Sequence, residues 1–251
     1  MNTKPSKCSN LKTKNEQNKQ IDIVIPFYNT ANHIFELLRE NITALLRENR
    51  LQNFSITLVN DGSTKDNYKS YIIALLSDFP HCVNFLNLEQ NRGKGGAIKE
   101  GIKQSTAPLV VFYDIDFPFG RNALYSIIEN LQKSDNDICI AKRDESYNKK
   151  LPWKRKIISQ GVKKIIWILS KGKITDSQAG LKAMKRDATS ILLCTECNSF
   201  IMDFEFLLKL IKHNKKIGEI IVTPNENIEF TDFSTNTIAK EIKSLFKILV
   251  S

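Results

Sequence analysis

The sequence predicts an α/β fold: a mostly parallel central sheet with helices on both faces, in a single domain. Three observations predict it. Strand-like apolar runs alternate with segments of helical period from Ile21 to Lys142, and crossover helices between strands force neighbouring strands to run parallel. The runs IDIVIPFY and PLVVFYD are nearly continuously apolar, as strands buried on both faces are. With 251 residues, 41% of them apolar, the chain can bury one sizeable core.

The elements follow in order. IDIVIPFY is the first strand, closed by Pro26. Asn32 to Arg50 is a helix, since Ile34, Leu37, Leu38, Ile42, Leu45 and Leu46 recur on one face. SITLVN is the second strand, stopped by the turn signal Asp61-Gly62-Ser63. Lys65 to Phe79 is helical, with Tyr68, Ile72, Leu75 and Leu76 in a stripe. VNFLNL is the third strand, NRGKGG a glycine-rich loop, and Ala97 to Gln104 a short helix. PLVVFYD is the fourth strand, Arg121 to Lys133 a helix, and DICIAK the fifth strand. Residues 1–20 carry almost no apolar anchor and read as a disordered basic tail. The main domain spans 21–225, and 226–251 is a C-terminal segment in which Ile238 to Val250 can form an interfacial or capping helix. No internal repeat is present.

No apolar run reaches the roughly 18 residues of a membrane span, and the N-terminus lacks an apolar signal core. The expectation is a cytoplasmic protein, soluble or peripheral at a membrane. Cys194 and Cys197 form a lone CxxC with neither a second pair nor a histidine cluster, so they read as reduced structural thiols. The formal net charge is +10, and its placement is uneven. Between Lys142 and Lys173 eleven basic residues face only Asp144 and Glu145. Such a patch suits an anionic partner.

In parallel sheets ligands bind beyond the carboxyl ends of the strands. The first strand ends in Pro26-Phe27-Tyr28-Asn29, the second in Asn60-Asp61-Gly62-Ser63, the third in Asn91-Arg92-Gly93-Lys94-Gly95-Gly96, and the fourth in Asp114 and Asp116. Each alone reads equally as a turn or a solvated loop. The aspartates are more telling. Residues i and i+2 of an extended chain point to one side, and two adjacent carboxylates repel unless a cation lies between them. Mg²⁺ takes oxygen ligands and shares its shell with substrate phosphates. A metal bridge to a nucleoside diphosphate is the sharper reading, and two acids in a surface turn the plainer one.

The stretches IDIVIPFYN, LVNDGSTKDN, NRGKGGAIKEGI, VVFYDID, KRKIIS, ITDSQAGLKAMKRDA and FIMDFEFLLKLIKHNKKIGEI together resemble family 2 glycosyltransferases of the Rossmann-like GT-A fold. Within these the chain is similar to the group that loads a sugar onto dolichyl or other polyprenyl phosphates. The resemblance implies an inverting transfer of a hexose from UDP-glucose or GDP-mannose to a polyprenyl phosphate at the cytosolic membrane face. It implies Mg²⁺ or Mn²⁺ as cofactor. It places Pro26, Tyr28, Asp61, Arg92, Lys94 and Asp114 at the nucleotide sugar, and Asp114 and Asp116 on the metal. Arg143, Arg155 and Ser159 would receive the lipid phosphate, Arg143 with a catalytic role. Asp176, Gln178, Lys182, Asp203 and Glu205 match motif positions near sugar and acceptor. A membrane surface is an expected partner, and so is a membrane-anchoring subunit; nucleic acid is not.

The chain departs from the family pattern in places. Asn60 stands where that pattern has a first Asp, Thr30 where it commonly has Glu, and Phe117-Pro118-Phe119 where a more polar run can supply a third metal contact. Lys154 to Leu169 can form a basic amphipathic helix: Ile158, Val162, Ile165 and Leu169 make one stripe, widened by Ile157, Trp167 and Ile168. It reads either as an interfacial helix or as a core helix with a solvated basic face. Three rivals remain at this level: a transferase acting on a soluble glycan or protein, which needs a catalytic base such as Asp203 or Asp176, a basic nucleic-acid-binding module, and a catalytically dead homologue serving as a partner subunit, which the Asn60 and Phe117–Phe119 departures keep open. Aromatics are not interleaved with the Lys/Arg run as stacking platforms would be.

Overall fold

The computed structural model describes residues 19–144, 160–161, 163–165, 167–168, 171–172, 174, 176, 179–199 and 201–225. The first five expected strands form as β1 (Ile21–Phe27), β2 (Phe54–Asn60), β3 (Val83–Asn87), β4 (Leu109–Tyr113) and β5 (Ile138–Arg143). The helices between them are α1 (Asn32–Glu48), α2 (Tyr68–Asp78), α3 (Lys94–Gln104) and α4 (Gly120–Lys133). Beyond these come β6 (Leu181–Lys185), α5 (Arg186–Leu193), α6 (Met202–Lys212) and β7 (Ile217–Val222), none of which the sequence pattern announced. Residues 160–161, 163–165 and 167–168 are helical. The expected tail up to residue 18, the helix at Ile238 to Val250, and Arg155, Ser159 and Gln178 lie outside the described residues.

The sheet has seven strands in the order β3-β2-β1-β4-β6-β5-β7. All pairs are parallel except those made by β6, which runs antiparallel to β4 and β5. Strand alternation sends Ile23 and Ile25 to one core, against α1, α2 and α4, and Val24 to the other, against α3, α5 and α6. On α1 the inward side chains are Phe35, Leu38, Ile42 and Leu45; Leu37 and Leu46, expected in the stripe, are exposed. Gln20 already belongs to the folded chain, since its N–H donates to the Asn53 carbonyl at 2.8 Å and its own carbonyl accepts from Leu109.

Helix α3 begins at Lys94, three residues before the expected start, so Gly95 and Gly96 fall inside its first turn and Gly93 caps it. The reason is close packing. A Cβ on Gly95 would lie 2.7 Å from Met202 Cβ, and one on Gly101 would lie 2.5 Å from Val24 Cγ1. Glycine costs helix stability in isolation, but here it lets α3 rest directly on β1 and α6. Lys99, also on α3 and buried, donates to the carbonyls of Thr195 at 2.8 Å and Cys197 at 3.1 Å, binding the 195–197 loop. Both cysteines of the CxxC are free thiols, Cys194 exposed and Cys197 half-buried.

The neighbours β1 and β4 diverge at the site. Their pairing ends at Val24 and Phe112, whereas β1 stays paired with β2 as far as Phe27 and Asn60. The Phe27 carbonyl faces β2, accepting from Asp61 N–H at 2.8 Å. By alternation Pro26 turns its ringed nitrogen to the β4 side, where the ladder has already stopped and no donor is needed. The crevice opens at this point, where the order of strands reverses from β3-β2-β1 to β4.

Candidate active site

Four strand ends converge on that crevice. At the end of β1, Tyr28 is exposed and Asn29 adopts a φ of 48°. The Asn29 carboxamide oxygen accepts from the N–H groups of Thr64 at 3.0 Å and Lys65 at 3.1 Å, and its backbone N–H donates to Ser63 Oγ at 2.9 Å. The loops after β1 and β2 are therefore one hydrogen-bonded unit. Asn60 serves the same turn: its oxygen accepts from Ser63 N–H at 3.1 Å and its amide nitrogen donates to Asn87 at 2.7 Å. An aspartate could not make the second bond, which accounts for an amide at this position.

Asp61 is buried and accepts the Arg92 N–H at 2.7 Å. Burial pushes its carboxyl above the ordinary range, partly offset by the N–H groups of Arg92 and Gly93 and the Arg92 charge. Gly62 has a φ of 66°, and a Cβ there would stand 2.5 Å from the Gln90 carbonyl carbon. Only glycine admits both this conformation and this approach of the β3–α3 loop. Arg92 pairs with Glu100 at 2.9 Å on the rim.

Asp114 and Asp116 follow β4. The Tyr113 hydroxyl, beneath them, donates to the Gly120 carbonyl at 3.2 Å and accepts the Phe119 N–H at 3.0 Å. Phe117, at a φ of 47°, packs on the Tyr113 ring with centroids 4.7 Å apart. Asn225 closes the loop from outside, donating its N–H to the Pro118 carbonyl at 2.8 Å and its side-chain amide to Phe117 at 3.0 Å. Phe117 and Phe119 are thus a hydrophobic brace that fixes the acidic turn.

Burial and the neighbouring Asp114 push the Asp116 carboxyl up to about 6. A carboxyl pushed up by its acidic neighbour is one that another positive charge would stabilise. The residues fit a hard divalent ion: two oxygen donors one residue apart, with the remaining coordination left to phosphate oxygens and water. Among the described residues no group of three metal-ligating side chains gathers. Gly180 seals one side. Asp114 N–H donates to the Gly180 carbonyl at 3.2 Å, and a Cβ on Gly180 would overlap the Asp114 carboxylate. Gly180→Ala is expected to displace Asp114 and lower turnover about 100-fold, read from initial rates alongside a thermal melt showing a folded protein.

The first cation at Asp114 is Lys94, whose ammonium lies 2.5 Å from Asp114 Oδ1. Burial works against its charge, yet Asp114, Asp203 and Asp116 together raise its pKa above the ordinary lysine value. Behind it, the fully buried Lys182 lies 3.1 Å from Asp203 Oδ1, donates to the Ala179 carbonyl at 2.8 Å and stands 5.1 Å above the Phe112 ring. Burial lowers the Lys182 pKa, against the pull of Asp203. Sequence reasoning placed these residues near the site but missed their pairing, because helix, strand and helix each contribute one side chain.

On the other side of β6, Arg143 holds Asp176 with a two-pronged grip, Nε to Oδ2 at 2.7 Å and Nη2 to Oδ1 at 2.8 Å, and its N–H adds a third bond at 3.1 Å. Lys163 approaches the same carboxylate at 3.8 Å. Glu205 lies apart from these groups. Its carboxylate accepts the N–H groups of Glu196 and Cys197 at 2.8 Å and pairs with Lys209 at 3.1 Å, so in this structure it secures the 194–197 loop. Trp167 and Ile168 are exposed, while Ile165 packs on the core. No helix among the described residues is long and apolar enough to cross a membrane.

Comparison with known proteins agrees with this geometry. The family model described as Glycosyl transferase family 2 matches residues 22–192. A dolichyl-phosphate beta-glucosyltransferase of Trichomonas vaginalis is 29% identical over 92% of this chain and 73% of its own length. The dolichyl-phosphate beta-glucosyltransferase of Saccharomyces cerevisiae is 26% identical over 82% of this chain and 67% of its own. Among solved structures, glucosyl-3-phosphoglycerate synthase from Mycobacterium tuberculosis, in complex with Mn²⁺, UDP and glucosyl-3-phosphoglycerate, superposes with a TM-score of 0.68 at 14% identity. That match covers 92% of this chain and 79% of that one. It shows the GT-A fold. Since the family match runs from the second residue of β1 nearly to the end of α5, the chain belongs to glycosyl transferase family 2.

Proposed function

We propose that this glycosyltransferase moves a glucosyl residue, with inversion, from UDP-glucose to dolichyl or another polyprenyl phosphate at the cytosolic face of a membrane. The observation that carries the reading is the Asp114–Asp116 pair at the strand-order reversal, facing Lys94 across the crevice. Family membership and the curated relatives support the reaction class and the acceptor. Asp114 and Asp116 would hold Mg²⁺ or Mn²⁺, which when bound neutralises the charge on the departing nucleoside diphosphate. Lys94 lies beside the same charge, and Tyr28 and Asp61 flank the nucleoside.

A phosphate monoester is largely ionised near neutral pH. The acceptor therefore needs orientation rather than a general base, and none of the buried carboxylates has to take a proton. Arg155 and Ser159 are assigned the acceptor phosphate. Arg143 is buried and committed to Asp176, so its part is to hold that carboxylate in place. Trp167 and Ile168, exposed next to Lys163, Lys164 and Lys171, suit an anionic membrane surface.

The test is to incubate the purified chain with polyprenyl phosphate in anionic vesicles, Mn²⁺ or Mg²⁺, and a panel of nucleotide sugars, and to weigh the lipid product. Hexosyl-phosphoryl-polyprenol from UDP-glucose is the expected result. Product from GDP-mannose alone would move the donor assignment, and transfer only to lipid-free glycans would overturn the acceptor. In the same assay Arg155→Ala is expected to raise the KM for lipid phosphate at least tenfold with UDP affinity unchanged. Equal losses in both would remove Arg155 from the acceptor site.

A further inference from the structure

Resting on the reading above, we infer that Lys94 is a built-in counter-ion that occupies the acidic turn when the donor is absent and moves to the diphosphate when metal and donor arrive, so that the two load together. Three facts carry this. Lys94 contacts Asp114 at 2.5 Å, at the oxygens assigned to the metal. Its backbone is clamped: Lys94 is the first residue of α3, Gly93 and Gly96 abut Asn198, and Gly95 abuts Met202, beside Asp203. The ammonium on its long side chain is thus the adjustable part. Finally, Lys182 already supplies a cation to Asp203 at 3.1 Å, so Asp203 retains a partner when Lys94 turns away.

The charges explain the coupling. Counted by formal charge, the two lysines Lys94 and Lys182 stand against the three carboxylates Asp114, Asp116 and Asp203, one negative charge in excess. A divalent ion alone would overshoot that balance and would meet an ammonium seated on its own ligand. A divalent ion arriving with a diphosphate diester adds no net charge, and it gives Lys94 a new anion to hold. Metal and nucleotide each therefore favour the binding of the other, and by linkage the factor is the same in both directions.

The experiment is calorimetric titration of Mn²⁺ into the protein with and without UDP, and of UDP with and without Mn²⁺, on wild type, Lys94→Met and Lys94→Arg. Wild type is expected to bind Mn²⁺ at least fivefold tighter in the presence of UDP. Lys94→Met is expected to bind Mn²⁺ alone several-fold tighter than wild type, to bind UDP more weakly, and to keep only the coupling that shared phosphate oxygens supply. Lys94→Arg, which keeps the charge, should retain it, and it carries the test if the methionine variant does not fold. Mn²⁺ affinity in Lys94→Met equal to or below wild type, or coupling undiminished in it, would overturn the counter-ion role alone. Wild type that binds neither Mn²⁺ nor UDP would overturn the donor site itself.

Discussion

Asp116→Ala is expected to abolish sugar transfer, with a fall of about 1000-fold or more in kcat, while the protein remains folded. The two parts of this expectation come from different features. The loss of rate follows because electrostatic stabilisation of a departing diphosphate is among the largest single contributions to such a reaction, and Asp116 is one of only two carboxylates on the acidic turn itself. The intact fold follows because the turn does not rest on Asp116. It rests on the Tyr113 hydroxyl bonds, the Phe117 and Phe119 packing, and the clasp from Asn225. Removing a carboxyl that burial and Asp114 already disfavour also relieves repulsion. Mass analysis of the lipid product and a thermal melt check both parts together. Wild-type turnover in this variant would refute the metal assignment.

Asp176→Ala is expected to act on stability instead, by about 3–5 kcal/mol, because it strips a deeply buried arginine of its two-pronged partner. The side chains of Arg143 and Asp176 are 6% and 1% exposed, so water cannot replace what is lost. The same substitution removes the acceptor for Arg143 N–H, at the last residue of β5. Chemical denaturation of wild type and variant would measure the change. A loss below about 1 kcal/mol would mean that the pair is not the anchor its geometry indicates. Asp176→Asn, which can still accept from Arg143, is the milder comparison and should lose distinctly less.

The first half of the fold could be read from the chain because each of its elements carries its own pattern. The strands IDIVIPF and LVVFY are apolar because they are buried on both faces, and α4 shows its inward stripe directly. The second half was illegible for a physical reason. LKAMK looks like a polar surface segment, yet it is a central strand, and Lys182 can lie in the core only because Asp203 and the Ala179 carbonyl meet it there. No local rule anticipates a partner twenty-one residues away on a helix. The start of α3 was missed for the opposite reason: its glycines signal a loop locally, and contacts with Val24 and Met202 make them necessary within a helix. At the site, the strand-end motifs marked residues that the fold brings to one crevice. The Lys94–Asp114 contact, the Arg143–Asp176 grip and the Asn29 clasp between loops depend on tertiary placement and have no signature in spacing.

The single reversed strand has a consequence for how the protein is made. A chain still emerging from the ribosome holds β1 to β4 well before Leu181 exists, and for that interval β4 offers an uncovered row of backbone donors and acceptors along Leu109–Tyr113. Such a bare sheet margin invites pairing with other chains. Arrival of β6 caps that margin and, with Gly180, brings one wall against Asp114 in the same event. Protection of that margin and enclosure of Asp114 on the β6 side are therefore a single folding step, and a fragment that stops short of Leu181 would forfeit both.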